Sequence, residues 1–259
     1  MTFLNTRKEA IRYYFDFLWA MTEKEIKARY KRAIFGFLWV ILNPVLQMII
    51  IGAIFSFFIK IPNYFLFLFS GLLPWQFFSL SLSKTTPSIV NERSLLQKAK
   101  FPIEAIPISI ILANFLHLAV SFMIFLFILF LVVGPSIVSL FLATLALIWL
   151  LVLTIGLSLL TASLNVKYRD INFFVQTLLI LWFYTTPVLY NLALVPQSLS
   201  LLFTLNPLTS IFEMLHYSLL NQGVIQPRIV AMNAMLTLVV VLMGILVFKR
   251  QKKDFIDWL

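Results

Sequence analysis

Apolar residues run along this chain in six long stretches, near 33–59, 64–82, 106–133, 137–164, 173–194 and 230–248. Each can cross a hydrocarbon core of about 30 Å, which takes roughly 17–25 helical residues. Polar or helix-breaking positions separate them: Lys60-Ile61-Pro62-Asn63, the charged run 84–104, Gly134-Pro135, the stretch 165–172 and the loop before Val230. Between the fifth and sixth stretches lie 35 moderately apolar residues, 195–229, divided by Asn206-Pro207. That pattern predicts two short helices dipping into one face of a membrane, where protein or water covers the broken backbone. Ahead of the first span, residues 10–21 carry Arg12 and Asp16 and lack the small-residue site of a cleavable signal. Tyr13, Tyr14, Phe15, Phe17 and Trp19 suit a helix lying in the headgroup region. Thr22 followed by Glu25 reads as a capping box, which predicts a separate polar helix from Thr22 to Arg32.

Composition sharpens the class. Of 259 residues, 61% are apolar and 12% charged, too little polar surface to cover a soluble globule. This excludes a cytosolic enzyme, a disordered tail and a nucleic-acid-binding domain. The net charge of +10 follows membrane topology. With six spans, the N-terminus, the loops 83–105 and 165–172 and the C-terminal tail share one face and hold all the Lys and Arg except Lys60 and Arg228. That bias puts both termini in the cytoplasm. The basic tail Lys249-Arg250-Gln251-Lys252-Lys253 suits anionic headgroups. The fold expected is an all-α polytopic membrane protein in a single domain, 1–259. Interface helices would occupy 1–32, a six-span bundle 33–248 and a basic cytoplasmic tail 249–259.

Several chemistries are missing. The spans hold almost no ionisable groups, which disfavours a proton- or sodium-coupled carrier. His117 in the third span reads as a packing hydrogen bonder or a proton relay, His216 as a surface residue of the outer hairpin. Two histidines and no cysteine do not make a histidine-rich metal site in one chain. None of the seven glycines precedes a lysine, so a phosphate-binding P-loop is absent. ATP hydrolysis would belong to another chain.

The loop from Ser83 to Ala105 predicts a short helix capped by Ser88 or Asn91 and ended by Pro102, with Leu95 and Leu96 on one side and Arg93, Lys98 and Lys100 elsewhere. Two readings are open for it: a solvated loop that anchors topology, or a docking helix for a soluble partner.

The stretches Glu25-Ile26-Lys27-Ala28-Arg29-Tyr30-Lys31-Arg32, Phe35-Gly36-Phe37-Leu38-Trp39, Asn43-Pro44-Val45 and Gly71-Leu72-Leu73-Pro74-Trp75-Gln76-Phe77-Phe78 run in order along the chain. They are followed by Asn91 with Leu95-Leu96-Gln97-Lys98 and Phe101-Pro102, by Val166-Lys167-Tyr168-Arg169-Asp170-Ile171, by Tyr184-Thr185-Thr186-Pro187-Val188-Leu189-Tyr190 and by Asn206-Pro207-Leu208. In these the sequence resembles the type-2 ABC transporter permeases that export polysaccharides: the O-antigen (Wzm), capsule (KpsM) and teichoic acid (TarG) membrane subunits. Gln97 stands where that family usually has isoleucine. The resemblance implies a homodimer in a bacterial inner membrane, bound to two copies of an ABC ATPase that carry ATP and magnesium, with no cofactor on this chain. It makes Asn91, Glu92, Arg93, Leu95, Leu96, Lys98 and Phe101 the ATPase-coupling residues, so that aspartate at Leu95 and Leu96 would abolish ATPase association without blocking insertion. It makes Glu25, Lys27, Arg29, Tyr30 and Arg32 an interface helix. The substrate implied is a lipid-linked polysaccharide; the alternatives are another amphiphile, such as a lipid or drug, or a scaffold that transports nothing.

Pro44 and Pro187, read as mid-span prolines, are candidate bending points, or else ordinary membrane-helix prolines. Aromatic rings stack on the apolar faces of sugars, which nominates Trp39, Trp75, Phe78, Tyr184 and Tyr190 for the substrate pathway; lipid-facing packing is the alternative. Arg169 and Asp170 read as a topology anchor or as a tie between their loop and the N-terminal helix at the substrate entrance.

Overall fold

A computed structural model of the chain describes residues 7–31, 34–98 and 101–258, and every regular element among them is helical. The N-terminal segment is one helix where the sequence predicted two. α1 (Arg7–Tyr30) runs unbroken, and Thr22 caps nothing: its hydroxyl donates back to the Leu18 carbonyl at 2.8 Å. No glycine or proline interrupts residues 7–30, so the capping signal has no break to act on.

After a 3₁₀ turn at Gly36–Leu38 come α2 (Trp39–Phe55) and α3 (Tyr64–Thr85). The polar loop that follows holds α4 (Ser88–Asn91) and α5 (Arg93–Lys98). Then come α6 (Ala105–Val132), α7 (Ile137–Lys167) and α8 (Asp170–Tyr184). Two short 3₁₀ turns and α9 (Ser200–Thr204) lead into α10 (Pro207–Leu220), α11 (Pro227–Gln251) and α12 (Phe255–Trp258). Among these, α3, α6, α7 and α11 are long and apolar enough to cross a membrane. The chain from Gln197 through Thr204 together with α10 passes the same test, but is bent by 99° at the Asn206-Pro207 break.

The helices in the first and fifth apolar stretches are shorter than the sequence suggested, with 17 residues in α2 and 15 in α8. At the end of α8, Thr185 and Thr186 turn their hydroxyls back to the Trp182 carbonyl at 3.2 and 2.8 Å, satisfying an acceptor that a longer helix would have used. Pro187 thus lies beyond the helix, not at a bend inside it, whereas Pro44 is buried within α2. Asn206 stitches this corner together. Its side chain accepts from Trp182 Nε1 at 2.8 Å and from the Leu208 amide at 3.0 Å, and donates to the Thr185 carbonyl and the Thr186 hydroxyl.

α3 is buried along most of its length and forms the centre of the main core. Gly71 lets it approach the 186–190 turn, since a Cβ there would sit 2.9 Å from the Val188 carbonyl oxygen. α7 and α11 cross at Gly156 and Gly244, and a Cβ on Gly156 would meet the Val241 Cα at 2.7 Å. Apolar side chains gain little by leaving lipid for protein, so such close backbone packing is what holds membrane helices together. A smaller second core gathers Met21, Ile89, Leu96, Ile106, Leu159, Val166, Phe248 and Phe255. It fastens α1, α4, α5 and the C-terminal segment onto one end of the bundle.

His216, expected at the surface, is fully buried, and its ring stacks on Phe67 with centroids 3.8 Å apart. The neighbouring Glu213 is also buried; its carboxylate accepts from the backbone amides of Leu192 at 3.1 Å and Val224 at 2.7 Å.

Candidate functional site

A groove of about 610 Å³ opens on the outer face of the molecule between α2, α3 and α8. Its walls are apolar, with Ile51, Leu72, Leu179 and Ile180, but a row of uncharged polar side chains runs along it. Gln76 donates to Gln47 at 2.9 Å and Gln47 to Asn43 at 3.3 Å; nearby, Gln176 donates to the Ser83 hydroxyl at 2.8 Å. Asn43, Gln47 and Gln176 are exposed. Amides turned to hydrocarbon would lack partners for their remaining donors and acceptors, so a face of this kind lines water or another polar surface. The signal was in the sequence. Asn43 and Gln47 are four apart, and Gln76, Ser79 and Ser83 recur at three and four, which is one polar stripe on each helix. A reading built on apolar runs passed over them.

The five aromatics nominated for the pathway separate. Tyr184 is exposed and lines the groove, and Trp75 lines it while mostly buried. Trp39 is exposed at an adjoining cavity that shares Asn43, Gln76 and Leu80 with the groove. Phe78 is completely buried, edge-on to Trp182 at 5.3 Å, and belongs to the core instead. Tyr190 donates its hydroxyl to the Tyr184 carbonyl at 2.5 Å and packs on Phe203, so it braces the chain behind Tyr184.

At one end of the bundle the 83–105 loop forms the two short helices α4 and α5, divided at Glu92, in place of one. Asn91, Arg93, Ser94, Gln97 and Lys98 are exposed. Leu96 is buried in the chain's own second core and Leu95 packs against it, so this pair supports the loop from beneath. Glu92 pairs with Lys24 at 2.6 Å, and Phe101 stacks on Phe17 at 4.9 Å. Glu104 faces Lys252 at 3.9 Å. Burial, and then the Glu104 carboxylate, push the Tyr14 phenol up from its ordinary pKa. The loop, α1 and the C-terminal segment therefore touch at several points.

On α1, Lys27 pairs with Glu23 one turn away, and Glu25 lines a cavity with Lys84, Asn91 and Glu92. Arg29 turns inward, donating to Asn114 Oδ1 and to His117 Nδ1 on α6. The Tyr30 side chain and Arg32 lie outside the described residues. Arg169, just before α8, and Asp170, its first residue, are exposed. The chain before α8 is tied to the C-terminal segment, for Lys167 sits over the Trp258 ring at 5.3 Å.

Comparison with known proteins gives the chain's family. The model of the ABC-2 type transporter family matches residues 16–220. Two Klebsiella pneumoniae proteins named O-antigen export system permease protein RfbA are 32% and 31% identical over 248 residues, covering 95% of this chain and 95% of theirs. A Myxococcus xanthus protein of the same name is 34% identical over 208 residues, 76% of this chain and 78% of its own length. The chain belongs to the ABC-2 type transporter family.

Proposed function

We propose that this chain is the membrane subunit of an ABC exporter that carries a lipid-linked polysaccharide of the O-antigen type outward across the cytoplasmic membrane of a bacterium. The observation that carries the reading is the row of uncharged amides along the outer groove. Amides and hydroxyls exchange hydrogen bonds with sugar hydroxyls one at a time and without charge, which suits a long neutral polymer that must bind weakly and keep moving. An apolar drug or free lipid would have no use for them.

On this reading two copies meet with their α2 and α8 faces toward each other, and the facing grooves form the path. Six crossings follow, with α2 and α8 as the short first and fifth and the bent Gln197–Leu220 region as a re-entrant hairpin on the outer side. The termini and the 83–105 loop then lie in the cytoplasm. Each copy binds one ATPase chain through the exposed residues of α4 and α5. Closure of the ATPases on ATP presses on that face, and the second core passes the push to α1, α6 and α11.

The test replaces Gln47 and Gln76 with leucine. Each lost hydrogen-bonding group is worth about 1 kcal/mol, so surface display of the polymer is expected to fall roughly tenfold or more. ATPase co-purification should not change. Undiminished display would sink the proposed path.

A further inference from the structure

A slot of about 210 Å³ lies between the arms of the α7–α8 hairpin, lined by Leu157, Leu160 and Leu164 of α7 and by Phe174, Leu178 and Trp182 of α8 among others. On α8 those three positions recur every four residues, and so do Gln176, Ile180 and Tyr184 of the groove, offset by two. Two residues are just over half a turn, so slot and groove occupy opposite sides of α8. The polar groups in the slot's wall are already spent. The Thr161 hydroxyl accepts from Thr86 at 3.0 Å and donates to the Ser158 carbonyl, and the Trp182 indole donates to Asn206. Water entering the slot would find no partner, whereas a hydrocarbon chain would need none. The slot runs about 10 Å along α7 from Leu157 to Leu164 and about 16 Å along α8 from Ile171 to Trp182. That is close to the depth of one leaflet of a hydrocarbon core about 30 Å thick. The hairpin closes at Tyr168-Arg169, where the Asn172 amide donates to Asn165 Oδ1 at 3.2 Å. Basic groups gather at this closed end. Lys167 lies over the Tyr168 and Trp258 rings at 5.2 and 5.3 Å, contacts that hold the ammonium and leave its charge. Arg169 is exposed, and among the described residues neither it nor Lys167 nor Asp170 forms an ion pair.

We propose that the slot binds an anionic phospholipid of the bilayer, with one acyl chain between α7 and α8 and the phosphate at Lys167 and Arg169. The side of the membrane rests on the exporter reading, which sets the 165–170 link among the cytoplasmic headgroups. Two cations against the one carboxylate of Asp170 leave that link positive, which selects an anionic head over a zwitterionic one. A helix about 10 Å wide does not fit, because 210 Å³ spread over the slot's length leaves room for a single chain of carbons. A second copy would meet α8 on its groove side, away from the slot. The substrate's own lipid anchor shares the chemistry of an apolar chain ending in phosphate. The slot belongs to the bilayer lipid instead, because α8 stands between it and the amides along which the glycan lies. Leu179 lines both spaces, so the bound chain supports from behind the helix that walls the groove.

The experiment uses the permease with its co-purified ATPase in nanodiscs of phosphatidylcholine and phosphatidylglycerol in equal parts. Lipids that stay bound are counted by native mass spectrometry for the wild type, Arg169→Gln and Leu178→Trp. The wild type is expected to retain phosphatidylglycerol in preference to phosphatidylcholine. Arg169→Gln, a surface change, should lower that preference about fivefold while a lipid stays bound. Leu178→Trp fills the slot and should expel the lipid whichever its head; Leu160→Phe does the same from the α7 wall if the tryptophan does not fold. Slot-filling variants that retain phosphatidylglycerol as the wild type does would show a lipid held at the surface alone and overturn the proposal. So would a wild type with no preference between the two lipids. Farnesyl phosphate that displaces phosphatidylglycerol at equal mole fraction would reassign the slot to the substrate's anchor and overturn the bilayer lipid. Loss of ATPase co-purification from the wild type would instead fault the exporter reading, and the lipid counts would still decide the site.

Discussion

Glu213 shows how a single buried side chain can hold a large piece of irregular backbone. Its two carboxylate oxygens are divided between the Leu192 and Val224 amides, which lie on either side of α9 and α10 in sequence. Both amides would otherwise be donors without partners in an apolar setting. Glu213→Gln keeps the shape but offers an N–H₂ group where an acceptor is needed. One amide is then left unsatisfied, at a cost of about 1–3 kcal/mol. The variant should unfold at lower temperature in detergent while still binding the ATPase at the other end of the molecule. An unchanged melting temperature would mean that these contacts hold nothing. The sequence placed Glu213 in a hairpin but gave no sign of this bracket, because its partners are backbone amides, and backbone amides leave no trace in residue type. His216 was misread for a related reason. A histidine usually needs water or a partner, and here the Phe67 ring covers its face. Asn206-Pro207 was legible, since asparagine before proline is a common helix start.

Among the elements, α4 and α5 carry the revision with most consequence for function. Hydrophobic residues in a charged loop look like a docking face when the rest of the chain is unseen. In the fold, Leu96 points down among Met21, Ile106 and Phe255, and the face left for a partner is polar. The two classes of residue should therefore fail differently. Leu96→Asp buries a carboxylate in the second core, which is expected to cost about 3 kcal/mol or more and to lower the yield of folded permease. Arg93→Glu should leave the stability within about 0.5 kcal/mol of wild type while reducing ATPase co-purification. If Leu96→Asp were stably folded and lost only the ATPase, the leucine would be the docking residue after all. The capping signal at Thr22 misled in the same local way. Thr22 and Glu25 matched the motif, but the decision between one helix and two rests on whether the surrounding backbone has any reason to break.

At the scale of the whole molecule, the four helices long and apolar enough to cross a membrane and their order were legible from apolar run length alone, because hydrocarbon thickness imposes that length. The lengths of α2 and α8 were not, because run length counts apolar residues whether or not they are helical. At 1.5 Å per residue these helices span about 26 and 23 Å, short of the hydrocarbon core, and they carry the groove. Exposed on the same two helices are Ile50 and Ile180, 61% and 64% accessible. A mixed face, polar along a groove and apolar beside it, is poorly served by lipid and well served by a second copy that buries the isoleucines and closes the groove. The chain has no cysteine, so single cysteines report such a contact cleanly. Ile50→Cys and Ile180→Cys, treated with an oxidant in native membranes, should each give a disulfide-linked dimer or the two together a mixed one. Met235→Cys, 70% accessible on α11, should stay monomeric because that helix packs on α7 and α10 and contributes nothing to the groove. A crosslink at Met235 with none at Ile50 or Ile180 would move the dimer contact to the opposite side. It would also leave the groove open to hydrocarbon, where its amides have no partner, and the proposed path would fall with it.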